Sequence, residues 1–343
     1  MTMRLELAES PTVVSGLLAS ARAPLDRLAD EVRRRRIRFV VIAARGTSDH
    51  AATYAQYVLG SRNRLAVGLA TPSLSSLYGH GPRVGEALVI GMSQSGRSPD
   101  IVAVLEDARR QGALTLAITN DPQSPLADVA DVVVSLEAGP ELAVAATKTY
   151  VAELTVVALL SEALRGGEPD PALATLPGAL AATLELESAI VALAGRMAPA
   201  PACVVLARGF QYPTAREWAL KLKEVAGVFA DAYSAADYEH GPISLIEPGL
   251  PVLAVVSSGP TLAGLLVLLE RLVADGADLL VVSDAAEARA LGGGSLDLDA
   301  RVPEWLAPIV ASLPCQLFAY HLAIARGRDP EAPRGLRKVT LTR

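Results

Sequence analysis

A cluster of hydroxyl and amide side chains follows an apolar run in the first half of the chain. The run Val89-Ile90-Gly91-Met92 leads into Ser93-Gln94-Ser95-Gly96-Arg97-Ser98-Pro99-Asp100 and then into an apolar stretch with helical spacing. This order predicts a strand, a polar turn and the start of a helix. Backbone N–H groups at a helix N-terminus attract an anion, and serine hydroxyls add donors. The turn contains no Lys and a single Arg. It therefore suits a small phosphate group held by neutral donors better than a triphosphate held by a P-loop Lys.

A second polar turn, Arg45-Gly46-Thr47-Ser48-Asp49, follows another apolar run. Ligands of open parallel sheets bind beyond the carboxyl ends of the strands, so both turns are candidates for holding one anion. The alternative is that Thr47 and Ser98 only cap helices. The density of hydroxyl groups favours a binding site. Lys148, ahead of a long apolar segment, is either an anion partner or a surface lysine.

Acid–base candidates lie in the second half of the chain. Glu217, Lys221 and Glu224 are spaced i, i+4 and i+7, so they share one helix face. A surface ladder of salt bridges is the default explanation for this spacing. His240 precedes Gly241-Pro242, which predicts a turn, and histidine is the side chain whose charge changes near neutral pH. A Glu and a His near a phosphate site are candidates for a general acid and a general base.

The apolar runs that must position these residues alternate with helical patterns. Runs at 39–43, 65–69, 87–91, 115–119 and 132–136 predict strands. Helices are predicted at 11–36, interrupted near Pro24, and at 47–59, 100–110 and 147–164. Alternating strands and helices predict an α/β fold with a parallel sheet covered on both faces.

The polar turns of the first half recur in the second half at a constant distance. Gly46, Gly96 and Asp121 each have an identical residue 163 positions later, at Gly209, Gly259 and Asp284. Three matches at one offset, each after an apolar run, predict a duplicated α/β domain. The second copy of the phosphate loop reads Ser257-Ser258-Gly259-Pro260, so its phosphate site is predicted to be degenerate.

The composition limits the classes of function. The 343 residues are 51% hydrophobic and 4% aromatic, with a net charge of −6, which argues against nucleic-acid binding. The basic run Arg33–Arg36 suits a helix C-terminus. No apolar stretch is long enough for a bilayer and no signal peptide is recognisable, so we expect a cytoplasmic protein without a membrane partner. Cys203 and Cys315 are expected to be buried free thiols.

The chain resembles the SIS (sugar isomerase) family, and within it the isomerase half of glutamine–fructose-6-phosphate aminotransferases. The resemblance covers nearly the whole chain and implies two tandem flavodoxin-like domains with parallel sheets, an N-terminal helix and a short C-terminal tail. The segments that carry it are Gly46-Thr47-Ser48, Ser93-Gln94-Ser95-Gly96, Val144-Ala145-Ala146-Thr147-Lys148, Ala219-Leu220-Lys221-Leu222-Lys223-Glu224, His240-Gly241-Pro242 and Pro333-Arg334-Gly335-Leu336-Arg337-Lys338. The implied boundaries are 1–36 for the helical segment, 37–167 and 199–332 for the two domains, 168–198 for a helical linker and 333–343 for the tail.

The resemblance also implies roles for individual residues. Glu224 moves a proton between C1 and C2 of the sugar, supported by Lys221. Lys338 lies beside the open-chain carbonyl, where a Schiff base can form. His240 opens the sugar ring and comes from the neighbouring subunit of a homodimer. The sugar phosphate is held by Thr47, Ser48, Ser93, Gln94, Ser95 and Ser98, and the sugar is contacted by Val144 and Ala146. Neither a metal nor a cofactor is implied.

The implied substrate is a phosphorylated amino sugar. No Cys follows Met1, and the region ahead of the resemblance is too short for a glutaminase domain, so we expect no ammonia from glutamine. The expected reaction is deamination of glucosamine 6-phosphate to fructose 6-phosphate and ammonia. The alternatives are a fructosamine-6-phosphate deglycase and a sugar-phosphate-binding regulator without turnover.

Five positions depart from the family pattern and leave the choice of substrate open. Arg45 stands where the aminotransferases have Cys, Arg97 replaces an acid in the phosphate loop, and Ala146 replaces a Ser. Trp218 replaces a Gly, and Arg337 replaces a small residue beside Lys338. We expect the phosphate and isomerisation chemistry to survive these changes.

Overall fold

Two five-stranded parallel sheets form the framework of the protein. The computed structural model describes residues 2–298 and 302–338. The first sheet has the order β2-β1-β3-β4-β5, and the second has the order β10-β9-β8-β6-β7. The strands are β1 Phe39–Ala43, β2 Ala66–Leu69, β3 Leu88–Met92, β4 Leu114–Thr119, β5 Val132–Ser135, β6 Ala202–Ala207, β7 Phe229–Ser234, β8 Pro251–Val256, β9 Asp278–Ser283 and β10 Gly294–Asp297. In each sheet the second strand in sequence, β2 or β7, lies at the edge beside the first, β1 or β6, as in flavodoxin-like folds. This order confirms the predicted duplication and fold class.

Helices connect successive strands. The longer ones are α2 Ser10–Ser20, α3 Arg22–Arg35, α4 Thr47–Asn63, α6 Pro99–Arg110, α8 Lys148–Arg165, α9 Leu176–Leu184, α10 Glu187–Met197, α11 Tyr212–Lys221, α13 Leu262–Ala274 and α15 Ala307–Ala325. The shorter ones are α1 Thr2–Ala8, α5 Ser73–Ser76, α7 Pro125–Asp128, α12 Ala235–Glu239 and α14 Ala286–Leu291. A π-helical turn, Leu222–Ala226, extends α11, and 3₁₀ turns span Pro171–Thr175, Gly209–Gln211 and Pro242–Leu245.

The chain divides into two compact units that are not contiguous in sequence. The first-sheet unit contains residues 12–141, 148–173 and 337–338, and the second-sheet unit contains 2–11, 142–147 and 174–336 apart from 299–301. Helix α1 and the short segment 142–147 thus belong with the second sheet. The five contiguous segments that the resemblance implies stay a prediction.

Each unit has its own apolar core. In the first-sheet unit, Val89 and Ala117 of the central strands pack with Ile101 and Leu105 of α6. In the second-sheet unit, strands β6, β8 and β9 pack against Leu265, Leu268 and Leu272 of α13. These helix residues recur every three or four positions, so one face of each helix covers one face of its sheet.

The predicted elements differ from the observed ones at a few points. The helical break near Pro24 lies at Ala21, because Pro24 fits the first turn of α3, where a missing N–H costs nothing. Helix α3 ends with Arg33, Arg34 and Arg35, as the basic run predicted. By length and composition α15 would suffice to cross a membrane, but 83% of its apolar window is buried, as in a core helix. Cys203 and Cys315 are buried and free, as predicted.

Candidate active site

The phosphate loop predicted from the sequence connects β3 to α6. The N–H of Ser93 donates to the carbonyl of Ile118 in β4, and the N–H of Asn120, just after β4, donates to the carbonyl of Gln94. Strand β4 and the residue after it therefore support the first two residues of the loop. Ser98 occupies the N-cap position of α6, and Pro99 follows as the first helical residue. The Ser98 hydroxyl makes no capping hydrogen bond within the described chain. Capping by Ser98, the alternative to a binding role, is therefore not observed.

Gly96 gives this loop its shape. Its φ is +62°, a left-handed conformation that favours glycine. A Cβ atom there would collide with the side chain of Ser124 and lie 2.9 Å from Thr119 Oγ1. Gly96 N–H donates to Ser93 Oγ at 3.2 Å, and Arg97 N–H donates to Ser95 Oγ at 3.3 Å. The loop thus closes tightly on its own hydroxyl groups.

Two exposed arginines, one in this loop and one in the second polar turn, are held by carboxylates. Arg97 Nη2 donates to Asp121 Oδ2 at 2.9 Å, and Arg45 Nε donates to the buried Asp100 at 2.8 Å. The N–H of Gln123 and the Arg97 guanidinium hold the pKa of Asp121 below its ordinary value. Both arginine side chains remain about half exposed, so their charge is available to an anionic ligand.

The second polar turn starts α4. Gly46, with φ +55°, is the N-cap residue, and Thr47 is the first residue of the helix, so Thr47 does not occupy the capping position. Ser48 is buried, and its hydroxyl donates to Glu153 Oε1 of α8 at 2.7 Å. Glu153 was missed from the sequence, since a lone acid in an apolar helical run carries no distinguishing pattern. Lys148, at the start of α8, is 2% exposed, so the surface-lysine alternative is wrong.

Lys338 pairs with a buried carboxylate in the first-sheet unit. Its Nζ lies 2.7 Å from Glu141 Oε2; the Glu141 side chain is fully buried and that of Lys338 is 25% exposed. Thr149 donates both its N–H and its hydroxyl to Glu141. Glu141 thus holds an amine at a defined position while leaving part of it accessible, a role that the sequence did not reveal.

A second cluster lies in the second-sheet unit, on α11 and the π-helical turn that follows it. Lys221 Nζ lies 3.1 Å from Glu217 Oε1 and 2.7 Å from Glu224 Oε2. Lys221 and Glu217 are buried, whereas the Glu224 side chain is 23% exposed. The three residues share a face as predicted, but the surface-ladder explanation is wrong.

The charges of this cluster support one another. Burial alone would lower the pKa of Lys221, but the two carboxylates beside it raise that pKa above its ordinary value. Lys221 therefore stays protonated at neutral pH and holds Glu224 by a charge-assisted hydrogen bond. The π-helical turn ends at Gly227, with φ +62°, and π turns are frequent at functional sites.

The buried Gln316 of α15 links this cluster to the segment that contains Val144 and Ala146. Its Nε2 donates to Glu217 Oε1 at 3.2 Å and to the carbonyl of Ala146 at 3.3 Å. Val144 and Ala146 themselves are partly exposed. Gln316 was not predicted, because an amide within an apolar helix resembles any core polar residue.

His240 lies in a turn at the end of α12, as predicted. Its N–H bonds the carbonyl of Asp237, and its side chain is exposed. Gly241 follows with φ +136°, which favours glycine. The His240 ring therefore projects from a fixed backbone. Throughout the described ranges, no group of three or more His, Cys, Asp or Glu side chains is arranged to hold a metal ion.

Comparison with protein families gives two matches in this chain. The family described as SIS domain matches residues 34–163 and again residues 197–326, one match for each sheet. Glutamine–fructose-6-phosphate aminotransferase (isomerizing) of Zymomonas mobilis is 34% identical over 354 residues, covering 98% of this chain and 58% of that protein. The enzyme of the same name from Methanothermobacter thermautotrophicus is 35% identical and covers 97% of this chain and 56% of that protein. The chain thus spans about half the length of these relatives.

Solved structures show the same fold. The C-terminal domain of glucosamine-fructose-6-phosphate aminotransferase from Francisella tularensis aligns with a TM-score of 0.88 at 27% identity, covering 96% of this chain and 98% of that one. Glucosamine-6-phosphate deaminase from Thermotoga maritima aligns over all of both chains with a TM-score of 0.81. At 20% identity the latter likeness concerns the fold alone.

Proposed function

The chain belongs to the SIS domain family, and from this premise we propose that it deaminates glucosamine 6-phosphate to fructose 6-phosphate and ammonia. The observation that carries the proposal is the pairing of the partly exposed Glu224 with the fully buried, protonated Lys221. A carboxylate held in this way can take and return a proton without leaving its position. The hydroxyl-rich loop Ser93–Ser98 supplies the phosphate anchor.

The proposed reaction needs only side-chain chemistry. The phosphate binds at the Ser93–Ser98 loop, and His240, contributed across a homodimer interface, opens the ring. Glu224 removes the proton from C2 of the open-chain aldehyde while the aldehyde oxygen takes a proton from solvent, which gives an enaminol. Glu224 then returns its proton to C1, and C2 becomes an iminium ion. Water adds to C2 and ammonium leaves, which yields fructose 6-phosphate. The reverse reaction consumes the same ammonia, so assays in both directions establish which one prevails.

Lys338 has a supporting role in this proposal. Its amine lies 2.7 Å from the buried Glu141 carboxylate, which orients it. Beside an open-chain carbonyl, such an amine stabilises negative charge on oxygen or forms a Schiff base with the carbon.

The proposal is tested with Glu224→Gln. We expect kcat/KM for glucosamine 6-phosphate to fall by about 10²–10⁴-fold, the usual contribution of a general acid–base group. Binding of inorganic phosphate, measured by calorimetry, should be retained. Glu270→Gln, which changes an exposed glutamate of α13, is the matched control. Full activity of Glu224→Gln would refute the assignment.

The homodimer part of the proposal has its own test. Mixing Glu224→Gln chains with His240→Ala chains should restore about a quarter of wild-type activity, because each mixed dimer regains one complete pair of residues. Mixtures that stay as inactive as the separate variants would contradict the transfer of His240 between subunits.

A second candidate, a fructosamine-6-phosphate deglycase, is favoured by Arg97. Its exposed guanidinium beside the phosphate loop suits a leaving amine that carries a carboxylate, such as an amino acid. Incubation with glucosamine 6-phosphate and with an amino-acid adduct of fructose 6-phosphate distinguishes the two by release of ammonia or of amino acid. Binding of both without turnover would indicate the regulator.

A further inference from the structure

The N-terminal helix α1 places a buried carboxylate against the segment Leu142–Thr147, which we call the sugar segment. Glu6 is 3% exposed. It accepts the N–H of Leu142 at 2.5 Å, the N–H of Ala143 at 3.1 Å and the hydroxyl of Thr147 at 3.2 Å. A single side chain therefore binds both ends of the sugar segment.

The sugar segment needs such support because it forms neither a strand nor a helix. Its first residue, Leu142, is 74% exposed, so apolar packing does not fix its position. Two consecutive N–H groups without partners in regular structure must find acceptors elsewhere. The Glu6 carboxylate is that acceptor, and it sets the direction of the chain just before Val144 and Ala146.

Helix α1 is itself held firmly within the second-sheet unit. Arg4 donates twice to Glu187, with both distances 2.6 Å, and His321 bonds the same carboxylate at 2.8 Å. Met3 and Leu7 are fully buried. These contacts fix the position of α1 and therefore of Glu6.

The far end of the sugar segment connects to the acid–base cluster. The carbonyl of Ala146 accepts from Gln316, which also donates to Glu217, and Glu217 pairs with Lys221. Lys221 in turn holds Glu224. A continuous set of hydrogen bonds thus runs from the sugar segment to the proposed proton-transfer residue.

We propose that Glu6 is a positioning residue for substrate binding, which holds the sugar segment in the conformation that receives the sugar. This proposal rests on the proposed function, because that function assigns sugar contact to Val144 and Ala146. Glu6 does not touch the substrate; it acts through the backbone of Leu142 and Ala143. Its loss should weaken sugar recognition and leave phosphate recognition intact.

The test compares Glu6→Gln with Glu185→Gln, a change of an exposed glutamate in the same unit. In Glu6→Gln an amide faces the N–H donors. We expect amide hydrogen exchange at Leu142 and Ala143 to accelerate at least about tenfold. We also expect KM for glucosamine 6-phosphate to rise about tenfold with kcat within about threefold, and affinity for inorganic phosphate to stay unchanged. Glu185→Gln should match the wild type in every measurement.

Each outcome decides the proposal. Unchanged exchange at Leu142 and Ala143, or faster exchange with unchanged KM, would overturn it. If Glu6→Gln does not fold, Thr147→Val, which removes one donor to Glu6, replaces it with the same expectations. If the wild type neither binds nor converts glucosamine 6-phosphate, the proposed function fails. The positioning role is then decided by whether Glu6→Gln weakens binding of fructose 6-phosphate relative to inorganic phosphate.

Discussion

The phosphate loop of the first-sheet unit and its counterpart in the second-sheet unit share a glycine but not an open anion site. Gly96 and Gly259 both have positive φ, +62° and +147°. In the first loop the neighbouring acid, Asp121, is turned to Arg97. In the second loop Pro260 stands where Arg97 would be, and the corresponding acid, Asp284, accepts the N–H of Ser258 at 2.8 Å. Asp121 therefore binds the guanidinium of the first loop, whereas Asp284 occupies a backbone N–H of the second.

A second carboxylate completes the closure of the second loop. Thr261 Oγ1 lies 3.4 Å from Glu304 Oε1, and a Cβ atom on Gly259 would lie 2.6 Å from Glu304 Oε2. Burial, and to a lesser degree Asp284, raise the pKa of Glu304. This difference supports the prediction that the second copy of the loop is degenerate as a phosphate site, because carboxylates of the protein bind its donors.

The strongest way to break this comparison is to change the two glycines. Gly96→Ala imposes a left-handed strain of about 1–3 kcal/mol and displaces Ser124, whose hydroxyl caps α7, so we expect kcat/KM to fall about 100-fold. Gly259→Ala is also strained, at φ +147°, and its Cβ would lie 2.6 Å from the Glu304 carboxylate, but its loop is not the proposed phosphate site, so kcat/KM should fall less than about threefold. Steady-state kinetics of both variants provide the check. Equal losses would show that both loops serve the reaction.

A milder change compares equivalent serines. Ser95→Ala removes a hydroxyl from the proposed phosphate site, and we expect the Kd for inorganic phosphate to rise about tenfold, the effect of one hydrogen bond to a charged group. Ser258→Ala, at the equivalent position, should leave phosphate affinity within about twofold of wild type, because its loop is closed by carboxylates. Isothermal calorimetry on the two variants measures both values. A larger effect of Ser258→Ala would reverse the assignment of the working loop.

The smallest expected effect concerns the pH dependence of stability. Because the pKa of Glu304 is raised on folding, its contribution to stability is present at low pH and is lost as pH rises through the folded pKa. Glu304→Gln should therefore gain stability relative to the wild type between about pH 4.3, the ordinary value for Glu, and neutral pH. Urea unfolding at a series of pH values measures this difference. Parallel stability curves for the two proteins would contradict it.

In the second sheet the sequence indicated the central strands but not the edge strands, whereas both edge strands of the first sheet, β2 and β5, were predicted. Strands β1, β3 and β4 are continuous apolar runs, since both faces of a central parallel strand are buried. Strands β7 and β10 lie at the two edges of the second sheet and alternate between buried and exposed residues. They lack the apolar run that identifies a buried strand, and they were not predicted.

The site shows a similar division. Residues in dense polar turns, such as Ser93 and Ser95, became candidates because hydroxyl clusters are unusual between apolar runs. By contrast, Glu153, Glu141 and Gln316 are single polar residues within or beside apolar segments. Only the folded chain shows that they bind Ser48, Lys338 and Glu217, respectively. These residues are placed by hydrogen bonds to partners about a hundred or more positions away, which a local sequence pattern does not predict.

The docking of helix α1 has a consequence for how the chain is made. Met3 N–H donates to Glu331, 328 residues later in the chain. Arg4 donates to Glu187, which also bonds His321. At about 5–20 residues per second, synthesis of the residues between α1 and Glu331 takes tens of seconds, and α1 lacks this partner until then. A chain stopped short of Glu331 can therefore complete the first sheet while helix α1 still lacks its hydrogen bond to Glu331.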